Sequence, residues 1–379
     1  MAAVAALLGA VLIITILWEG FELMVLPRRV TRPFRLTSLS FRLFWSTWRA
    51  VGRLLSPARR EPWLGLYGPL SLLLGLVVWA AGISLGFALL HWAAGSVVSA
   101  TGARPGFLSD LYFSGGDFFS GAPSEFAPAA GWGRLFAVAE AALGFVFLAL
   151  IISYFPPLNQ SFARREVSIS LLDARAGSPP SAVEMLRRHR NAHGVESLRE
   201  LLLEWERWAA ELLESHQSYP VLAYFRSQHD NQSWLGALTA ILDTCTLVMV
   251  GIEGACRRQA ELTFAVARHA VVDLCLVFRR PPTPLAQDRL PPETWAAARA
   301  RLAEVGVKLR DDAAAGPALA ELRLLYEPYV TALARHFALD LPPWMPPEPR
   351  RDDWEVSEWE GRAARAPRPL PGGSARASS

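Results

Sequence analysis

Charge is absent from three long stretches of this chain, and that absence limits the fold more than any motif does. Residues 1–18 carry none, residues 62–103 form an uncharged run of 42 with His91 as its one possible proton carrier, and residues 141–163 form a third run of 23. A helix crosses the hydrocarbon core of a bilayer with about 20 apolar residues, and only helices or closed barrels satisfy their backbone there. The first and third runs each supply one span. The second supplies one, at 63–94, followed by a loop of small residues. The first run has no basic segment ahead of it and stays apolar beyond Glu19 to Leu26, so it reads as a span at 1–26 and not as a cleaved leader.

Only 19% of the 379 residues are charged, against about a quarter in soluble domains, and this excludes fibrous and wholly disordered chains. The formal charge of +3 is too small an excess for nucleic-acid binding. Cys245, Cys256 and Cys275 include no CxxC pair, which leaves neither a disulfide framework nor a zinc site and fits a reducing compartment. The placement of charge says more than its sum. Segment 27–60 holds nine arginines and no acid, whereas loop 96–131 holds Arg104 against Asp110, Asp117 and Glu125. By the excess of basic residues on cytoplasmic loops, the N-terminus lies outside and residues 157–379 lie inside. Arg35, Arg42 and Arg49 recur every seven residues beside Phe41, Phe44, Trp45 and Trp48. Residues 27–62 are therefore expected to form a basic cytoplasmic helix lying at the membrane interface, or else a basic linker with scattered aromatics.

Between the second and third spans the chain reads PGFLSDLYFSGGDFFSGAPSEFAPAAGWGR. Ser109 is placed to cap a short helix over 108–119, and SGAPSEFAP after it is turn chemistry. A span, a short helix, an irregular loop at 120–128 and a further span at 132–156 make the outline of a pore loop. Irregular backbone at membrane depth requires surrounding protein or a water-filled cavity.

LYFSGGDFF with SGAPSEFAP, GWGRLFAVAEAALGF, and SYFPPLNQSFARREVSISLLDARAGSPPSAVEMLRRH resemble the bacterial two-transmembrane potassium channels. They more closely resemble a bacterial potassium-channel-like family with a long helical C-terminal domain. The pore likeness covers about 95 residues. It implies a homotetramer in the bacterial plasma membrane passing monovalent cations, potassium or sodium. Trp132-Gly133-Arg134 sits where the family opens its inner helix, and Gly144 where it places a hinge. The filter departs from the T-x-G-[YFL]-G-D form. Ser120 falls at the threonine, Gly121 follows it, Ala122 and Ser124 fall at the two glycines, Pro123 at the aromatic and Glu125 at the aspartate. Two residues with a Cβ in left-handed backbone in each of four subunits would cost on the order of 8–16 kcal/mol. A regular ladder of carbonyls is therefore not expected, and potassium selectivity should be weak. Glu125 would form a ring of carboxylates at the outer mouth. Asp117 is either a second ring or a buried acid bonded behind the loop. Glu140, one turn before Gly144, is either functional or held by a structural bond within the hairpin.

From 157 to 345 amphipathic helical stripes take over, predicting an all-α cytoplasmic domain, and 346–379 is rich in Pro, Arg, Gly and Ser and is expected to be disordered. Ser181-Ala-Val-Glu184 is a capping box. Segment 234–252 is apolar enough to span, but Asp243 at its centre would cost about 2.5–3.5 kcal/mol in a bilayer, so a buried helix is expected. His189 and His193 lack further ligands at metal spacing, and no nucleophile–base signature, GxGxxG or Walker motif appears. The expected fold class is an all-α membrane protein with an extra N-terminal span, a pore-loop hairpin and a helical cytoplasmic domain. The expected function is a tetrameric pore-loop channel without enzymatic activity, cofactor or metal. The alternative is a non-conducting membrane receptor or scaffold whose helical domain binds a partner.

Overall fold

The computed structural model describes residues 1–24, 36–99, 106–119, 121, 125–129, 131–189, 194–228, 231–252, 256–285, 287–307, 309–310 and 314–346, with side chains from 43 onwards in the second of its helices. Two long helices carry the apolar runs. Helix α3 (Pro57–Ala94) covers the second run and α5 (Trp132–Ala176) the third. At 1.5 Å per residue, α5's 45 residues extend about 68 Å, more than twice a bilayer core. The expected division at 156–157 is therefore no break in structure. One helix carries the third span straight into the polar half, through Pro156 and Pro157.

Helix α1 (Ala2–Met24) lies against α3. Glycines make that contact close: a Cβ on Gly9 would stand 2.6 Å from the Gly86 carbonyl oxygen, and one on Gly86 2.5 Å from Ile13. Gly82 takes Ile16 in the same way, one turn lower. Lipid is as apolar as leucine, so helices in a bilayer associate through such small-residue packing. Because α1 positions rise as α3 positions fall, the two helices run antiparallel.

Helix α2 (Leu36–Leu54) differs from the expected interfacial helix over 27–62. Residues 25–35 lie outside the described residues, and at the other end α3 already starts at Pro57. Its aromatics turn inward. The Trp48 and Trp63 rings stack at 4.0 Å, and each indole donates to the other residue's carbonyl, at 3.0 and 3.1 Å. Trp45 donates to the His336 carbonyl at 2.8 Å, and Arg49 to the Arg335 carbonyl at 2.8 Å. Arg49 thus bonds the last carbonyls of α12 (Glu327–Phe337), where the helix dipole favours a cation, and does not reach toward headgroups.

The remaining helices are α6 (Ala182–Arg188), α7 (Gly194–Ser218), a 3-10 turn (Pro220–Tyr224), α8 (Trp234–Gly251), α9 (Arg257–Val277), α10 (Pro292–Glu304) and α11 (Ala315–Leu324). Ser181 caps α6 by accepting from the Glu184 amide at 3.3 Å, as the capping box predicts. Among the described residues four helices are long and apolar enough to cross a membrane, α8 among them, but 89% of α8 is buried within the protein against 11% of the apolar window of α5. Asp243 explains the difference. The Arg289 guanidinium grips it with two bonds, at 3.2 and 2.7 Å, and the Tyr326 hydroxyl donates to it as well.

The core of this half does not respect the expected limits of 157–345. Trp45, Leu64 and Tyr67 from α2 and the base of α3 are buried in it together with Leu202, Trp234 and Phe337. Residues 347–379, which hold nearly all of the expected disordered tail, lie outside the described residues.

Candidate functional site

Helix α4 (Phe107–Phe118) sits between α3 and α5. Gly106 occupies its N-cap position, not Ser109, because the helix starts earlier than the Ser109 reading places it; Ser109 donates its amide to the Gly106 carbonyl at 2.9 Å. Strand β1 (Val97–Ser99) pairs antiparallel with β2 (Phe126–Pro128), with Val98 opposite Ala127, so the segment between them leaves and returns to one place. Contacts mark its descent. Trp92 meets Phe107, His91 meets Phe113, and Ser114 reaches Ser84. Ser84 lies ten residues below the end of α3 at Ala94, about 15 Å along the axis, while α4's 12 residues rise about 18 Å. At the deep end Phe118 packs with Ile16, Trp79 and Ile83, and its ring lies 5.5 Å from that of Phe147. Phe126, back at the strand pair, lies seven positions beyond Phe119 in sequence. Extended chain covers about 3.3 Å per residue, which is enough.

Gly144 fixes how deep α4 goes. A Cβ there would overlap the Phe118 carbonyl oxygen, so this glycine lets the end of α4 press against α5. Gly133 does the same near the top, where a Cβ would stand 2.9 Å from the Ser96 carbonyl oxygen.

A buried polar chain ties the three helices. Ser114 Oγ bonds the Ser84 carbonyl at 2.7 Å and also the Glu140 carboxyl. Glu140 is wholly buried, and its other oxygen lies 3.8 Å from Nε2 of the equally buried His91. That pair of atoms has no hydrogen-bond partner among the described residues, while His91 Nδ1 is held 2.8 Å from the Ser96 hydroxyl. Of the two readings of Glu140, a bond within the hairpin is therefore present. Asp117, in the last turn of α4, is half-buried, and its Oδ2 lacks a partner among the described residues. Glu125 is exposed just before β2. Gly121 donates its amide to the Gly116 carbonyl at 2.7 Å, and Ser120, Ala122, Pro123 and Ser124 lie outside the described residues.

The structure thus brings Asp117, Glu140 and Gly144 to the deep end of α4 and leaves Glu125 apart at the strand end. Ser84, Ser96 and Ser114 are the residues that the sequence does not single out. Lone serines inside apolar helices are a signal only in retrospect, because a serine also satisfies itself on its own helix, as Ser71 does by donating to the Gly68 carbonyl at 2.8 Å.

The chain is similar to the uncharacterized membrane protein YdjJ of Bacillus subtilis (strain 168), at 24% identity over 197 residues that make up 50% of this chain and 55% of that protein. The chain therefore spans about half the length of the curated relative it matches. No family model matches it, and no solved structure does either. The fold and the relative together define a mostly helical, multi-pass membrane protein.

Proposed function

We propose that the protein is the subunit of a pore-loop cation channel, a homotetramer in the bacterial plasma membrane with its helical half in the cytoplasm, and that it has no enzymatic activity. The observation that carries the reading is the path of α4. It descends between α3 and α5 and ends in a closely packed contact at Gly144, and eight positions after its last residue the chain is back at the strand pair. One such loop cannot enclose a path, so several chains around an axis are needed, four by analogy with potassium channels. The basic segment 27–60 orients the helical half inward.

Charge selection needs only negative potential at the mouth, and this reading puts Glu125, which is exposed just before β2, at that mouth. Potassium selection needs ordered carbonyls, and Ala122, Pro123 and Ser124 do not favour the left-handed backbone that presents them. Current recorded from the purified full chain in planar bilayers tests the proposal. Cations should pass in preference to anions, with little distinction between potassium and sodium. Glu125→Gln should lower conductance most at low salt, where the Debye length reaches about 30 Å at 0.01 M, and leave the potassium-to-sodium ratio unchanged. Absence of current in every condition would favour the receptor reading, which rests on the same glycine-poor loop.

A further inference from the structure

Helix α2 has two sides, and the protein covers one of them. On the inward side Trp45 meets the Tyr67 ring at 4.7 Å, Trp48 stacks on Trp63, and a Cβ on Gly52 would stand 3.2 Å from the Trp63 ring. The outward side is apolar and uncovered. Leu43 and Leu54 are 68% and 86% exposed, and Thr47, Ala50 and Val51 between them are exposed as well. With 3.6 residues per turn these five positions fall within about 100° of one another, opposite Trp45, Trp48 and Gly52.

The depth of α2 decides what can cover that face. Its contacts from Phe44 to Gly52, about 12 Å of axis, meet α3 only from Trp63 to Tyr67, about 6 Å. Helix α2 therefore crosses α3 at a slant and does not run along it. On α3 the exposed apolar surface starts at Leu66 and continues through Leu70, Leu73 and Val77. The crossing thus lies where the lipid-facing part of α3 begins.

Cations gather beside the apolar face. Arg49 and Arg53 stand one turn apart on α2, and Arg280, just past the end of α9, comes close to Arg49 as well. Burial, with Arg53 and Arg280 nearby, draws the Arg49 guanidinium below its ordinary pKa. Arg49 itself is turned to the last carbonyls of α12. Arg53 is exposed and Arg280 half-buried, and neither has an ion pair among the described residues. Like charges brought together without a carboxylate call for an anion from outside the chain.

An uncovered apolar face edged by cations, at the level where lipid contact begins, fits a molecule that is apolar at one end and anionic at the other. We propose that α2 binds an anionic phospholipid, with its acyl chains along Leu43, Val51 and Leu54 and its phosphate at Arg53 and Arg280. The site rests on α3 as a membrane helix and not on the pore. Only the choice of the inner leaflet follows from the inward orientation of the helical half.

Native mass spectrometry of the purified full chain in mild detergent, with phosphatidylglycerol and phosphatidylcholine of equal chain length supplied together, tests the proposal. Phosphatidylglycerol should be retained in preference. Arg53→Gln and Arg280→Gln should each reduce that preference by about fivefold. Arg258→Gln alters an exposed side chain at the other end of α9, about 30 Å away, and should leave it unchanged. Short-chain phosphatidylglycerol should raise the melting temperature where inorganic phosphate does not, and Leu54→Asn should reduce that rise. Equal retention of the two lipids, an unchanged preference in Arg53→Gln, or phosphate stabilising as well as the lipid would overturn the proposal. Because no current is measured, a silent pore leaves this result intact, and absent lipid preference leaves the channel reading intact.

Discussion

Arg289 shows how much one side chain can decide. It gives two bonds to Asp243 and one each to Glu327 and the Pro342 carbonyl, inside a domain whose Asp243 is wholly buried. Arg289→Met would leave Asp243 without its cation, and removing one partner of a buried pair costs about 3–5 kcal/mol. Chemical denaturation of the full chain in detergent should show a loss of that size for the unfolding of the helical half. A second residue sets a pH dependence. Burial, with Arg280 and Arg49 nearby, pushes the His336 imidazole down to about 3 from an ordinary value of 6.5. The folded protein therefore keeps this ring neutral while the unfolded chain takes up a proton below 6.5, so stability should fall as pH drops from 6.5 toward 3. His216, wholly buried beside Arg165, is pushed down as well and acts in the same direction. Melting temperatures measured between pH 7 and 4 should decline, and His336→Gln should flatten part of that decline.

Among the elements, α4 depends on a single close approach. The end of the helix rests on Gly144, so Gly144→Val would force backbone against backbone. Overpacking of this kind costs about 1–3 kcal/mol, and here the neighbour is a main-chain carbonyl that cannot rotate away. The variant should melt earlier in detergent and lose any current seen in the parent, while Gly115→Ala, where an added Cβ would meet nothing within 4 Å, should change neither. The buried chain of Ser84, Ser114 and Glu140 supports the same helix from the other side. At the opposite end of α3, Gly68 faces the Phe225 ring, and the 3-10 turn packs Val221 and Leu222 against Tyr154 and Leu158 of α5. Both ends of the hairpin are thereby seated on one short segment of the helical half.

For the molecule as a whole, the division at 157 is too simple, because Trp45, Leu64 and Tyr67 complete a core that the amphipathic helices cannot close alone. The apolar helices and the polar half share a foundation at the base of α3 and along α5. Assembly belongs to this scale. Native mass spectrometry in mild detergent should give four copies of the 41.7 kDa chain, and a predominant monomer or dimer would support the scaffold reading.

Hydropathy is a local sum over about 20 residues, so the runs at 1–18, 62–103 and 141–163 already reveal the long apolar helices. Ser181 and Glu184 are likewise legible, since a cap joins residues three apart. Gly144 stands out in sequence as a position of interest, though its role in seating Phe118 does not. What only the tertiary structure decided are pairings across long separations. Asp243 finds Arg289 at 46 residues, Ser114 finds Ser84 at 30 and Glu140 at 26, and Trp45 finds His336 at 291. No local period encodes such partners. They exist because helices packed side by side bring together polar groups that, once removed from water, must bond to one another.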